Sequence, residues 1–119
     1  VSNKRIEVVK RGLKQSGLDV YFDVVLGKEN LPEPKPSASG LIEACNLLHT
    51  SHDDCVYVGD NVADIVAAKN MAAYSVGFSV DEKQREALKE AKPCKVIDDL
   101  MQLIPLCKED HIWSDNTIW

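Results

Sequence analysis

The chain has 119 residues, of which 45% are hydrophobic, and a formal net charge of -5. This length suits one soluble domain with a single core and is too short for two. No apolar run approaches the roughly 20 residues of a membrane helix, and the N-terminus lacks a charged-then-apolar signal pattern. We therefore expect a cytoplasmic protein with no membrane partner.

Basic residues are concentrated in the first predicted helix, which holds five of the fourteen: Lys4, Arg5, Lys10, Arg11 and Lys14. The chain is acidic overall, and no aromatic residues interleave these charges. A solvated outer helix face accounts for the pattern better than a nucleic-acid surface does. No nucleic-acid partner is expected.

The cysteines are widely spaced and form no C-x-x-C pair: Cys45, Cys55, Cys94 and Cys107. Three of them lie in or beside apolar runs, where a free thiol behaves as a small hydrophobe. We interpret the cysteines as reduced and mostly buried. A zinc site that combines them with the histidines is an alternative, but the ligand spacing fits no common zinc module.

The first 48 residues predict a helix, a strand and a second helix. Apolar residues at helical spacing predict a helix over residues 3–16, and Gly17 can take the left-handed conformation that ends it. A β-prone run over residues 21–26 predicts a strand that Gly27 breaks. Pro36 suits the first position of the next helix, whose apolar stripe is Leu41, Ile42, Cys45 and Leu48.

The rest of the chain repeats this alternation. Strands are predicted at 55–58, 74–78 and 94–97, with helices at about 62–72 and 81–91 and a last one through Leu100, Leu103 and Ile104. The strands are apolar runs, and the connections are long enough for crossover helices. The pattern therefore predicts an α/β fold with a mostly parallel sheet covered on both faces.

Polar residues collect where predicted strands end, which is where open parallel sheets bind ligands. Asp60 follows strand 55–58 directly, Asp64 comes four residues later, and Lys35 lies in the loop after residues 21–26. Two carboxylates beside a lysine suit Mg²⁺ and a phosphate. Ordinary explanations stay open, because Asp60 could cap a helix and Lys35 could be an exposed lysine in a proline-rich loop.

Ser2 and Asn3 immediately precede the first predicted helix. Both residue types are preferred helix caps, which is a sufficient structural explanation. In a site, the Ser2 hydroxyl and the free backbone N–H groups of that helix end would hold phosphate oxygens.

Three separated segments together resemble the haloacid dehalogenase-like (HAD) phosphohydrolases, and phosphoglycolate-phosphatase-like members are most similar. The segments are Val1-Ser2-Asn3-Lys4, Lys35-Pro36 and Gly59-Asp60-Asn61-Val62-Ala63-Asp64. The resemblance covers about residues 1–106 and leaves 107–119 as a C-terminal tail. It implies a Rossmann-like three-layer sandwich that is incomplete at its N-terminus.

The resemblance also implies roles for individual residues. Ser2, with Asn3 beside it, would bind the transferring phosphoryl group, and Lys35 would offset its charge. Asp60 would ligate Mg²⁺, and Asp64 would hold the metal's shell or orient Lys35. The implied activity is a magnesium-dependent phosphatase of small phosphorylated metabolites that works through an aspartyl-phosphate.

The sequence departs from that family in lacking an Asp-x-Asp segment, which carries the family's nucleophile. The resemblance puts the strand that bears it in the middle of the sheet. We therefore expect this chain to be the C-terminal part of a larger protein and to be inactive alone; the alternative is that a second chain or a rearranged element completes the sheet. A smaller departure is Met71-Ala72-Ala73, where an Ala-Gly turn is usual.

Two further questions stay open from the sequence. A non-enzymatic receiver-like or partner-binding domain of flavodoxin-like topology is the alternative function, because such domains also place acids and a lysine at strand ends. The tail holds both tryptophans, Trp113 and Trp119. It could fill the gap in the sheet, bind a partner or be disordered.

Overall fold

The computed structural model describes residues 1–107 and 117–118 and has an α/β architecture. The helices are α1 (Ile6–Gln15), α2 (Ser39–Leu47), α3 (Val62–Asn70), α4 (Glu82–Glu90) and α5 (Leu103–Cys107), and the strands are β1 (Val56–Gly59), β2 (Tyr74–Phe78), β3 (Lys95–Ile97) and β4 (Thr117–Ile118). The strands lie in the order β3-β2-β1-β4, and each neighbouring pair is parallel. The predicted parallel α/β fold is confirmed. Within the described residues, no helix is both long enough and apolar enough to span a membrane.

Apolar side chains cover both faces of the sheet because successive strand residues point to opposite sides. On one face, Tyr57 and Cys55 pack with apolar residues of α2 and α3. On the other face, Val56 and Val58 pack with Val76, with Ile97 and with two leucines of α5, Leu103 and Leu106. The sheet is therefore the middle layer of three.

Two predictions for the region before β1 are wrong. The structure assigns no strand to residues 21–26: a 3-10 turn covers Asp19–Tyr21, and Tyr21 is 78% exposed. A β-prone run becomes a strand only where another strand pairs with it, and this run instead meets the N-terminal segment through isolated bonds such as Ser2 N–H to Leu26 O at 2.9 Å. Pro36 does not begin α2, which starts at Ser39.

The C-terminal tail contributes to the sheet through Thr117 and Ile118. Their backbone pairs in parallel with Val56 and Tyr57, on the edge of β1 opposite β2. Both tryptophans of the tail lie outside the described residues. Within the described residues, this short strand pairs with β1 only at Val56 and Tyr57.

The cysteine prediction holds for two of the three thiols that the structure describes. Cys45 and Cys55 are buried with their sulfurs 3.5 Å apart, whereas Cys94 is exposed. Burial, together with Cys55, raises the pKa of the Cys45 thiol to about 12. That thiol therefore stays protonated and acts as a core hydrophobe. Among the residues that the structure describes, no three or more His, Cys, Asp or Glu side chains form a group that could hold a metal ion.

The turn after α3 requires a left-handed residue. Ala72, which follows the helix cap Met71, has a φ of 57° and is exposed. An L-residue with a side chain pays about 1–2 kcal/mol for this conformation, whereas glycine adopts it readily. The Ala-Gly turn that the resemblance implies here would supply a glycine, which takes this conformation without that cost.

We predict that Ala72→Gly raises the free energy of unfolding by about 1 kcal/mol, because relief of the backbone strain exceeds the added flexibility of the unfolded chain. Urea denaturation measures the change. Ala87→Gly, in the interior of α4, is the matched control and should lower stability by about 1 kcal/mol. Equal losses for both variants would contradict the proposed strain.

We expect Leu41→Ala to destabilise the protein by about 2–5 kcal/mol, because Leu41 of α2 is completely buried and its removal leaves a cavity. Leu47→Ala is made in the same helix at a position that is 47% exposed, and should cost less than about 1 kcal/mol. Thermal melts of the two variants would distinguish them. Similar losses would mean that α2 does not pack as described.

Candidate functional site

At the junction between β1 and α3, Asp64 takes part in capping the helix and the side chain of Asp60 does not. Asn61, not Asp60, is the N-cap of α3: its Oδ1 accepts a hydrogen bond from the Asp64 N–H at 3.1 Å. In return, Asp64 Oδ2 accepts from the Asn61 N–H at 3.2 Å and from the Asp60 N–H at 3.0 Å. This reciprocal cap satisfies the helix end and leaves the Asp60 side chain free of that task.

Lys35 and Asp64 form a buried ion pair. The Lys35 Nζ lies 2.5 Å from Asp64 Oδ1, and the two side chains are only 10% and 5% exposed. Lys35 also donates to Tyr57 Oη at 3.0 Å and to the Val1 carbonyl at 3.1 Å. A buried charge pair is tolerated when its remaining donors and acceptors are also satisfied, and the ammonium of Lys35 meets this condition.

Asn3 holds the loop that carries Lys35. Its Oδ1 accepts from the Lys35 backbone N–H at 2.9 Å, and its Nδ2 donates to the Lys35 carbonyl at 3.2 Å. This two-point clamp fixes the lysine backbone to the N-terminal segment. Asn3 therefore positions Lys35, in addition to lying beside Ser2.

Neither Ser2 nor Asn3 caps α1. Arg5 occupies the N-cap position, and the first helical N–H, that of Ile6, is bonded by Glu29 Oε1 at 3.0 Å. We expected this N–H group to be available to phosphate. It instead donates to Glu29, which the sequence did not single out. The Ser2 Oγ accepts from the Lys4 N–H at 3.0 Å and lines the cavity described below.

Asp60 is exposed at the end of β1, and Gln84 of α4 steadies its backbone by donating to its carbonyl at 2.8 Å. Its Oδ1 has a distant contact of 3.4 Å with the amide of Asn61. A solvent-facing carboxylate fits Mg²⁺, which usually takes one or two carboxylates and fills its other positions with water and phosphate. Asp64 differs from Asp60 because both of its carboxylate oxygens already have hydrogen-bond partners. To bind Mg²⁺ directly, Asp64 would have to give up one of these partners.

A cavity of about 800 Å³ lies beyond the C-terminal end of β1. All five residues singled out from the sequence line it: Ser2, Asn3, Lys35, Asp60 and Asp64. An apolar wall faces them, formed by Val8, Val9 and Leu13 of α1 together with Phe78 and Leu100. The structure thus brings an ammonium, a hydroxyl and carboxylates around one space.

Tyr57 is the site residue that sequence reasoning missed. It is 1% exposed, and its hydroxyl lies 3.3 Å from Asp64 Oδ1 as well as 3.0 Å from Lys35 Nζ. Burial, and then the charge of Asp64, raise the pKa of Tyr57 above its ordinary value, so the hydroxyl stays protonated and can donate. Strand alternation was the available signal, because it places Tyr57 on the same face as Gly59, against which Asp64 packs.

The sequence profile of the haloacid dehalogenase-like hydrolases matches residues 1–78. The chain belongs to this family. It is 36% identical over 106 residues to the pyrophosphatase PpaX of Bacillus mycoides, which covers 89% of this chain and 49% of that protein. It is 31% identical over 111 residues to the pyrophosphatase PpaX of Listeria welshimeri, with coverage of 93% and 51%.

Solved structures agree with this family assignment. A predicted phosphoglycolate phosphatase from Haemophilus somnus superposes with a TM-score of 0.83 at 27% identity, over 91% of this chain and 48% of that one. A haloacid dehalogenase-like hydrolase from Bacteroides fragilis has a TM-score of 0.74 at 23% identity, which supports the fold. The chain spans about half the length of the curated relatives it matches. Membership of this family argues against the receiver-like alternative.

Gly59 is required because Asp64 fills the space where a side chain would lie. A Cβ at Gly59 would come within 2.6 Å of Asp64 Cγ and 2.7 Å of Asp64 Oδ2, and closer still to its Cβ. We predict that Gly59→Ala displaces the carboxylate and lowers stability by about 1–3 kcal/mol. Denaturant unfolding measures the loss.

Gly12→Ala is the matched control for this prediction. Gly12 also lines the cavity but lies in α1, and apart from the adjoining backbone of the helix itself no atom comes within 4 Å of the position that an alanine methyl group would take there. Because alanine favours a helix, this variant should be neutral or stabilising by up to about 1 kcal/mol. A Gly59→Ala protein as stable as the Gly12→Ala protein would show that Asp64 is not held against β1.

Proposed function

We propose that this chain carries the phosphoryl-binding and metal-binding side of a magnesium-dependent phosphohydrolase. The observation that carries the proposal is the convergence of the Lys35 ammonium, the Ser2 hydroxyl and the Asp60 carboxylate on one cavity. A phosphoryl group needs positive charge and hydrogen-bond donors already in place around its oxygens. The relatives' names support the same class of reaction.

Each residue has a proposed role that follows from its contacts. Ser2 donates its hydroxyl to a phosphoryl oxygen, while Asn3 holds the backbone of Lys35. Lys35 offsets the charge that spreads over the phosphoryl oxygens, and Asp64 keeps the ammonium aimed at them. Asp60 holds Mg²⁺, which when bound would neutralise phosphate charge.

The substrate class that we propose is a small phosphorylated anion. Similar proteins are named as pyrophosphatases and as a predicted phosphoglycolate phosphatase, whose substrates by name are a short phosphoanhydride and a short phosphorylated acid. Inorganic pyrophosphate and a two-carbon phosphate ester are therefore the first candidates. Both are small relative to a cavity of about 800 Å³, which leaves room for a further protein segment beside them.

Because no Asp-x-Asp segment occurs among these 119 residues, our proposal takes the attacking group from elsewhere. We propose that another segment, from a longer chain or from a second chain, brings the nucleophilic aspartate to the cavity. Its carboxylate oxygen would bond to phosphorus as the leaving group departs, and water would then hydrolyse the aspartyl-phosphate. The apolar wall from α1 would cover that segment.

The proposal predicts that turnover appears only when a nucleophile is supplied. The chain alone, with Mg²⁺ and either pyrophosphate or p-nitrophenyl phosphate, should release no phosphate above background. A fusion to the N-terminal half of the Bacillus mycoides pyrophosphatase should release it. In that fusion, Asp60→Asn should lower kcat/KM by at least about 100-fold, because the charged metal ligand is lost.

Asp98→Asn is the control for this experiment. Asp98 is also an exposed aspartate directly after a strand, β3, but it does not line the cavity. Its substitution should leave turnover within about twofold of the parent fusion. A cooperatively folded fusion without turnover, or equal rates for the two variants, would contradict the proposed function.

A further inference from the structure

All three N–H bonds of the Lys35 ammonium have partners in the structure. They are the Val1 carbonyl at 3.1 Å, Asp64 Oδ1 at 2.5 Å and Tyr57 Oη at 3.0 Å. An ammonium has three donors and no acceptor. A phosphoryl oxygen can therefore accept from Lys35 only if one of these partners gives up its bond, a step that rests on the proposed function.

Release of Asp64 or of Val1 is costly. Asp64 carries the opposite charge, and separating this buried pair would leave a carboxylate that is 5% exposed without its cation. The Val1 carbonyl belongs to the same peptide group as the Ser2 N–H, which donates to Leu26 O at 2.9 Å, so the carbonyl is held in place and cannot turn away from Lys35. Neither partner is suited to leave.

Release of Tyr57 costs less because the hydroxyl has a second bond. Tyr57 Oη lies 3.3 Å from Asp64 Oδ1 and can donate its proton there whether or not Lys35 donates to the hydroxyl oxygen. The hydroxyl oxygen is an optional acceptor, so its departure from Lys35 leaves no buried donor unsatisfied. Strand β1 holds the ring, and the Lys35 Nζ lies 5.8 Å from its centroid.

We propose that Tyr57 is a positioning residue whose hydroxyl occupies one N–H of Lys35 until a phosphoryl oxygen of the substrate replaces it. The hydroxyl keeps the ammonium aimed at the cavity while no anion is bound. It also weakens anion binding, because that bond must break first. Tyr57 therefore keeps the Lys35 ammonium oriented and lowers the affinity of the site for the anion.

The test is a titration of this chain with orthophosphate in the presence of Mg²⁺, followed by NMR chemical shifts. Tyr57→Phe removes the hydroxyl and keeps the ring, so phosphate no longer has to break a hydrogen bond. Its affinity should rise about fivefold, the usual size of one net hydrogen bond. Tyr21→Phe, at a tyrosine that is 78% exposed and does not line the cavity, should leave affinity unchanged.

A second readout uses the unaltered chain with ¹³C-labelled tyrosine, which makes the test independent of how well Tyr57→Phe folds. Saturation with orthophosphate should shift the ring Cζ signal of Tyr57, because its oxygen stops accepting from Lys35. Unchanged or weaker phosphate affinity in a folded Tyr57→Phe protein would overturn the proposed exchange, in which a phosphoryl oxygen replaces the Tyr57 hydroxyl as a hydrogen-bond partner of Lys35. A Tyr57 signal that does not move while phosphate binds would do so as well.

Failure of the proposed function would look different. Ser2→Ala should weaken orthophosphate binding, since it removes a proposed donor to the phosphoryl group but no contact of Lys35. Two results would overturn the phosphoryl site and the exchange together. One is that Ser2→Ala leaves phosphate affinity unchanged, and the other is that the unaltered chain shows no saturable phosphate binding. Binding that needs Ser2 but leaves the Tyr57 signal unmoved would overturn the exchange alone.

Discussion

The ion pair between Lys35 and Asp64 is the contact on which the rest of the site depends. It joins a loop to the first turn of α3 across 29 residues of sequence, and both partners are nearly inaccessible to water. Its two halves are anchored separately, Lys35 through Asn3 and Asp64 through the backbone N–H groups of Asp60 and Asn61. Because neither charge can be left unpaired in this environment, the loop, the strand end and the helix start have one mutual arrangement.

The same residues serve the fold and the proposed chemistry. Asp64 completes the cap of α3 with one oxygen and receives the lysine with the other, so the helix end and the site are built by one side chain. Asn61 takes the cap position and leaves the carboxylate of Asp60 facing solvent, where a hard cation could reach it. Position 59 must be glycine because Asp64 occupies the space that a side chain at position 59 would need.

The cavity combines a polar end with an apolar wall, and these two parts suit different occupants. Lys35, Ser2 and Asp60 suit a hydrated anion and a metal, whereas the wall from α1 and Phe78 suits protein side chains. The short strand β4 pairs with Val56 and Tyr57 on the edge of β1 opposite β2. This mixed lining is the reason for proposing that another protein segment completes the site.

The sequence by itself determined the parallel α/β order, because strands such as 55–58 carry apolar side chains on both faces and the strands are separated by crossover helices. It also determined that Asp60 directly follows strand 55–58 and that Asp64 comes four residues later, since a strand boundary fixes where the next loop begins. The sequence placed Lys35 after a strand at 21–26 that does not form, so contacts with Asn3 and Asp64 decide where Lys35 lies. Tertiary structure decided that residues 21–26 form no strand, because a ladder requires a neighbour that local propensity cannot supply. It also decided that Asn61 caps α3 and that Tyr57 bridges Lys35 and Asp64, because hydrogen bonds depend on separations of a few ångströms between groups distant in the chain.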